Sequence, residues 1–215
     1  MTEVGTRDIP LNWDVFVTPG IPTVTSDLPP GTKQQTWSPI SSTLIYGKRD
    51  AVLVGAFITV EQADALVDWV EASGKNLTTI YVTHGDHFFG IGALLDRFPN
   101  ARAVATPDVV KRMRQQASPD VVANFWSARF PGQIPGRLVI ADELEGNVIE
   151  LEGHDLVVVE VGHTDTDYTT CLSAWWSPAT SPTTTFTSTS PSQTSKPAAS
   201  GSLRSTQSNR STHVL

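Results

Sequence analysis

Thr83-His84-Gly85-Asp86-His87-Phe88-Phe89-Gly90 sets two imidazoles and a carboxylate within one short turn. The apolar run Thr79-Ile80-Tyr81-Val82-Thr83 leads in and predicts a buried strand, while Ile91, Leu94, Leu95 and Phe98 lead out at helical spacing. A strand-to-helix turn presents such side chains at the edge of a sheet, where ligands bind in α/β folds. Histidine and carboxylate are first-choice ligands for zinc and for iron. A His/Asp cluster in a surface turn is often idle, so the octapeptide does not decide the chemistry alone. A second cluster adds weight: Val161-Gly162-His163-Thr164-Asp165-Thr166-Asp167 follows another apolar strand, Leu156 to Val161. Two strand ends carrying His and Asp, separated by mixed α and β sequence, fit a site assembled from different strands.

The T-H-…-G-D-H-x-x-G turn after one strand and V-G-H-T-D-T-D after a later one resemble the metallo-β-lactamase superfamily of metal-dependent hydrolases. The resemblance runs from about Ser41 to about Leu172. It implies a four-layer αββα sandwich, an α/β (α+β) fold, here incomplete at its C-terminal end. It also implies a metal centre holding one or two ions, zinc first, with iron or manganese as alternatives. The family's turn reads H-x-H-x-D-H, and this chain lacks two residues of it, as if Gly-His had been dropped from T-H-G-H-G-D-H. His84 therefore matches either histidine of the first-metal pair. Asp86 and His87 match second-metal ligands, and His163 matches the next first-metal ligand. The implied reaction is hydrolysis of an ester, lactone, lactam or thioester-type bond by metal-activated water, with Asp86 as both ligand and orienter of the nucleophile.

The rest of the chain bounds that reading. Its 215 residues suffice for one α/β domain with a sizeable core. A net charge of −7 and a pI near 5.1 argue against a nucleic-acid backbone as partner and against a nuclease of the same superfamily. The expected partner is a small-molecule substrate. Cys171 is the lone cysteine, consistent with a reducing compartment. Met1 to Asp8 has no apolar core resembling a signal peptide, and no apolar run approaches the ~20 residues that span a bilayer, so a cytoplasmic protein away from membranes is expected.

Residues 1–40, rich in Pro, Thr and Gly, are read as an N-terminal extension with a first strand at Trp13-Asp14-Val15-Phe16-Val17. Residues 41–172 are read as the domain. Ser42 to Gly47 and Ala51 to Gly55 predict a hairpin, followed in the family by an Asp where this chain has Val54-Gly55-Ala56. Thr59 and Gln62 form a capping-box pattern ahead of Ala63, Leu66, Val67 and Val70, and Gly74 suits the helix stop. Ala101 to Thr106 is a short strand, and Thr106-Pro107-Asp108 starts a helix. Asp120 to Phe130 reads as helical, with Phe125, Trp126 and Phe130 favoured as core side chains over the alternative of walls to a substrate pocket. Val148 to Leu151 and Leu156 to Val161 form a hairpin whose turn holds His154, expected exposed and not a ligand.

Residues 173–215 form a third segment. Beyond Trp176 more than half of the residues are Ser, Thr or Pro, and no Asp or Glu follows Asp167. Such composition buries too little apolar surface to fold, so disorder is expected. A genuine Ser/Thr-rich linker is one explanation. The favoured one is genetic, because these residue types share codons with C in the second position, as a GC-rich gene read out of frame produces. Shifted back by one nucleotide, Trp176 to Thr194 can read V-V-A-G-D-V-A-Y-N-D-V-H-L-Y-L-A-E-S-N, which resembles the family's next strand with its metal-bridging Asp. Further on the shifted frame permits A-L-D-A-I-E-S-L-N-P, at helical apolar spacing. As written, the chain therefore lacks one turn histidine, the bridging Asp and the last family histidine.

Overall fold

The computed structural model describes residues 10–174, apart from positions 26, 27, 29, 33 and 165, together with a strand at 184–186. Its strands and helices follow one another as β1 (Asn12–Thr18), β2 (Ile21–Thr23), β3 (Gln35–Trp37), β4 (Ile40–Tyr46), β5 (Asp50–Val54), α1 (Val60–Ala72), β6 (Asn76–Tyr81), α2 (Ile91–Arg97), β7 (Arg102–Ala105) and α3 (Pro107–Gln116). Three short helical pieces, Pro119–Val121, the π-helical Val122–Trp126 and Ser127–Arg129, come next, and then β8 (Asp142–Glu143), β9 (Val148–Leu151), β10 (His154–Gly162), β11 (Thr169–Ala174) and β12 (Thr184–Phe186).

The larger sheet runs β1-β4-β5-β6-β7-β8 and the smaller β12-β11-β10-β9. β1, β4 and β5 are antiparallel neighbours, whereas β5, β6, β7 and β8 pair in parallel through helical crossovers. Alternation sorts the larger sheet's side chains onto two faces. Leu53, Ile80, Ala103 and Ala105 turn toward the helices, where Leu66, Val70, Leu94, Val110 and Met113 cover them. Ile45, Val52, Val54, Tyr81 and Val104 turn inward and meet Ile149, Leu151, Leu156, Val158 and Leu172 of the smaller sheet. This gives a helical layer and two facing sheets, the mixed α/β sandwich expected. The outer face of the smaller sheet is different. Val148, Val159 and Val161 stand 39%, 40% and 43% exposed there, and among the described residues no helix packs over them.

Local chemistry matches the local structure. Thr59 Oγ1 accepts from the Gln62 backbone N–H at 3.3 Å, and the Gln62 side chain accepts from the Thr59 N–H at 3.2 Å, closing the capping box of α1. Gly74 follows the helix at φ 66°. The β4–β5 turn is tied to the β9–β10 turn by Glu152, whose carboxylate accepts from the backbone N–H groups of Asp50, Arg49 and Lys48 at 2.6, 2.6 and 2.9 Å. These donors, Asp50's first, hold the Glu152 carboxyl below its ordinary range. His154 begins β10, half-buried at the hairpin turn.

The first strand read at Trp13–Val17 is β1, the edge strand of the larger sheet, and a small β2–β3 hairpin follows it. The tail boundary after Leu172 falls inside β11, and Thr184–Phe186 pairs with Ala174 to Leu172. The remainder of the tail lies outside the described residues.

Candidate functional site

The histidine turn sits where β6 ends, gripped from two sides. Toward the β5–α1 connection, the Phe89 N–H donates to Phe57 O at 3.0 Å and Phe57 pairs with Phe88 in a parallel bridge. A Cβ on Gly90 would lie 2.1 Å from Ala56 O, so only glycine permits this approach. Phe57 itself, fully buried, holds φ at 62°, a strained conformation for an aromatic residue. On the other side, a Cβ on Gly85 would lie 2.5 Å from Arg112 Cγ and 2.8 Å from the Met113 backbone nitrogen. The turn is thus pressed against α3. β11 closes it from the smaller sheet, because Thr170 donates to Thr83 O through its N–H at 2.8 Å and its hydroxyl at 3.0 Å. Thr170 Oγ1 also shares a 2.7 Å hydrogen bond with the Tyr81 hydroxyl, whose pKa burial drives up.

Within that frame His84, Asp86 and His87 are 1%, 6% and 5% exposed. His84 Nε2 and His87 Nδ1 share a hydrogen bond at 2.9 Å, with the rings edge to face. His84 Nδ1 shares another with Thr83 Oγ1 at 3.0 Å. Asp86 Oδ1 accepts from Arg112 Nε at 3.3 Å and lies 3.2 Å from Arg112 Nη2. His163 is exposed: its Nδ1 pairs with Asp167 Oδ1 at 2.7 Å, and both side chains are 72% exposed. Beside it opens a cleft of about 570 Å³ walled by Thr106, Asp108, Glu160, Asp167, Tyr168 and Thr170. Tyr168, like Phe57, holds a positive φ.

The structure therefore brings the turn residues together, while His163 is paired with Asp167. A metal ligand offers a lone pair on a ring nitrogen or carboxylate oxygen. Both nitrogens of His84 are engaged, one with a hydroxyl and one with the second imidazole. Between two neutral rings one N–H must meet one lone pair, so this contact removes one ligating lone pair from the His84–His87 pair. One Asp86 oxygen is held by a guanidinium. Among the described residues no three His, Cys, Asp or Glu side chains are grouped as a metal ion would need. The arrangement does not fit the zinc centre implied by the resemblance.

Arg112 is the residue that sequence reading missed. It lies on α3 beside the buried Met113, and nothing in the one-dimensional pattern ties it to a turn 26 positions earlier.

Burial first, and then the neighbouring His84 ring, push the His87 imidazole well below the ordinary histidine range. The unfolded chain keeps an ordinary histidine, near 6.5. The full contribution is present above that pH and is lost as pH falls below it toward the folded value, because only the unfolded form takes the proton. Urea midpoints measured from pH 8 to 5 should drop below about pH 6.5, by up to ~1.4 kcal/mol per unit from this one group. In His87→Gln the fall should be shallower by that one proton, and an unchanged slope would place the dependence elsewhere.

The chain belongs to the metallo-beta-lactamase superfamily, whose sequence model matches residues 35–174. Among solved structures it is similar to metallo-beta-lactamase SMB-1 bound to 2-mercaptoethanesulfonate, at 20% identity and a TM-score of 0.50, over 68% of this chain and 56% of that one. It is also similar to BLEG-1, a B3 metallo-beta-lactamase, at 18% identity and TM-score 0.48, over 63% of this chain and 62% of that one. A third is MIM-1 from Novosphingobium pentaromativorans, at 17% identity and TM-score 0.47, over 63% of this chain and 49% of that one. The chain thus spans less than two thirds of these relatives' length. A search of curated proteins gives no match.

Proposed function

We propose that this chain descends from a zinc-dependent hydrolase of small-molecule ester, lactone, lactam or thioester-type bonds, and that as written it is catalytically impaired and holds at most one metal weakly. The observation that carries the reading is the buried 2.9 Å hydrogen bond between His84 and His87, which makes the two rings partners of each other. The Arg112–Asp86 contact and the exposed His163 point the same way. In an intact relative, the bound metal would supply the activated water and polarise the electrophile. Here the four family-matched side chains are distributed over three separate contacts, so no step of that chemistry is assigned to them. The cleft beside His163 is the substrate-sized opening next to the turn and the place where a small molecule would enter a working version.

The test is elemental analysis of the full chain beside a panel of esters and lactones. The expected result is one metal or fewer per chain, removed by dilute chelator, with turnover near background. Two tightly bound metals with robust turnover would overturn the proposal.

A further inference from the structure

We propose that Arg112 is the resident cation of the histidine turn, standing on Asp86 in place of a metal ion and holding the turn closed. The inference goes beyond the functional reading above, and its principal test reads folding rather than turnover, so either can fail alone.

Three observations lead to it. First, the guanidinium places two nitrogens, Nε at 3.3 Å and Nη2 at 3.2 Å, on the same carboxylate oxygen, Oδ1 of Asp86. Second, the two partners are unequally buried, with the Asp86 side chain 9% exposed and that of Arg112 38%. A buried carboxylate needs a partner to remain charged, whereas a half-exposed guanidinium is readily solvated. Third, the arginine is delivered by packing. Val109, Val110 and Met113 bury one face of α3, and the Cβ and Cγ of Arg112 lie where a side chain on residue 85 would otherwise stand. Gly85 is what lets the helix come close enough. The resemblance makes Asp86 a metal ligand, and in this chain its Oδ1 is met by a protein cation that cannot dissociate.

The asymmetry makes the pair testable in the full chain with four proteins: native, Arg112→Met, Asp86→Asn and the double variant. Removing Arg112 alone takes a cation away from a buried carboxylate, whereas removing Asp86 alone leaves a half-exposed guanidinium that water solvates, so the first should cost more than the second. The double variant should be more stable than the sum of the single losses implies, by at least about fivefold in the unfolding equilibrium constant. If Arg112→Met fails to fold and the double variant folds, the coupling is shown in its strongest form. Additive losses, or failure of both Arg112 variants to fold while Asp86→Asn is native-like, would each overturn the proposal.

Discussion

Inserting Gly-His after His84 and restoring the shifted reading frame from Trp176 should together raise both metal content and hydrolysis, turnover by at least ~10³-fold over the chain as written. The magnitude follows from what a metal contributes to such a reaction, several kcal/mol of transition-state charge stabilisation, each ~1.4 kcal/mol being a factor of ten. Neither change alone should suffice. The insertion returns an imidazole and lengthens a turn now wedged between Ala56 O and α3. By itself it still lacks the carboxylate and the last histidine that the resemblance assigns downstream. The frame change returns those residues but leaves His84 and His87 bonded to each other. It also has a structural consequence separable from catalysis. The outer face of the smaller sheet exposes Val148, Val159 and Val161, and the shifted frame permits an amphipathic segment of the kind that covers such a face. The frame-restored chain should therefore melt higher than the chain as written even without added metal. Metal analysis, an ester and lactone panel and thermal melts on all four proteins check these expectations. Recovery by the insertion alone would show that the tail plays no part.

Where the sequence was legible, the reason was local. The Thr59–Gln62 capping box, the β4–β5 hairpin, the Thr106-Pro107 helix start and the strand–turn–helix around Asp86 each follow from residues a few positions apart, and each stands in the structure. The β2–β3 hairpin was not legible, because Ile21–Thr23 and Gln35–Trp37 are short, Pro-flanked and joined by a long connection. The π-helical turn at Val122–Trp126 carries no periodic signature that distinguishes it from α-helix. At the site, sequence identified the residue types His84, Asp86, His87 and His163 but not what their lone pairs meet. Whether an imidazole faces a metal or another imidazole depends on side-chain direction across a turn two residues shorter than the family's. The partner of Asp86 comes from α3, a distance in sequence that periodicity does not span. The family match at 35–174 begins before and ends after the stretch from Ser41 to Leu172, taking in β3, which pairs with β2 in a separate small hairpin, and the last residues of β11, which pair with β10.

Replacing Trp126 with alanine should remove most of the domain's folding stability. Trp126 is 1% exposed and closes the π-helical turn. Its ring lies 4.9 Å from Phe89, 4.9 Å from Phe125 and 5.8 Å from Trp37, centroid to centroid, with Phe130 stacked at 6.3 Å. Truncating a buried aromatic to alanine costs about 3–5 kcal/mol from lost transfer energy and the cavity left behind. A polar loss adds to it. The indole N–H donates to Gln116 Oε1 at 2.9 Å, and Gln116 is itself buried, so its oxygen would be orphaned at about 1–3 kcal/mol. Against a typical domain stability of about 5–15 kcal/mol, the sum approaches the whole. Trp126→Phe separates the two contributions, since it retains much of the ring contact and loses only the donor, and it should fall between native and alanine. The damage should also reach the histidine turn. Phe89 belongs to the turn's exit and stacks on Phe88, while Trp37 sets its edge against the His87 ring at 6.4 Å. Loosening this cluster admits water to His87, so the fall in stability below about pH 6.5 should flatten in Trp126→Phe as the desolvation that depresses that imidazole is relieved. Urea denaturation of the three proteins at pH 7.5 and pH 5.5 measures both effects. An alanine variant with an unchanged midpoint would mean that the aromatic cluster packs without contributing to the fold.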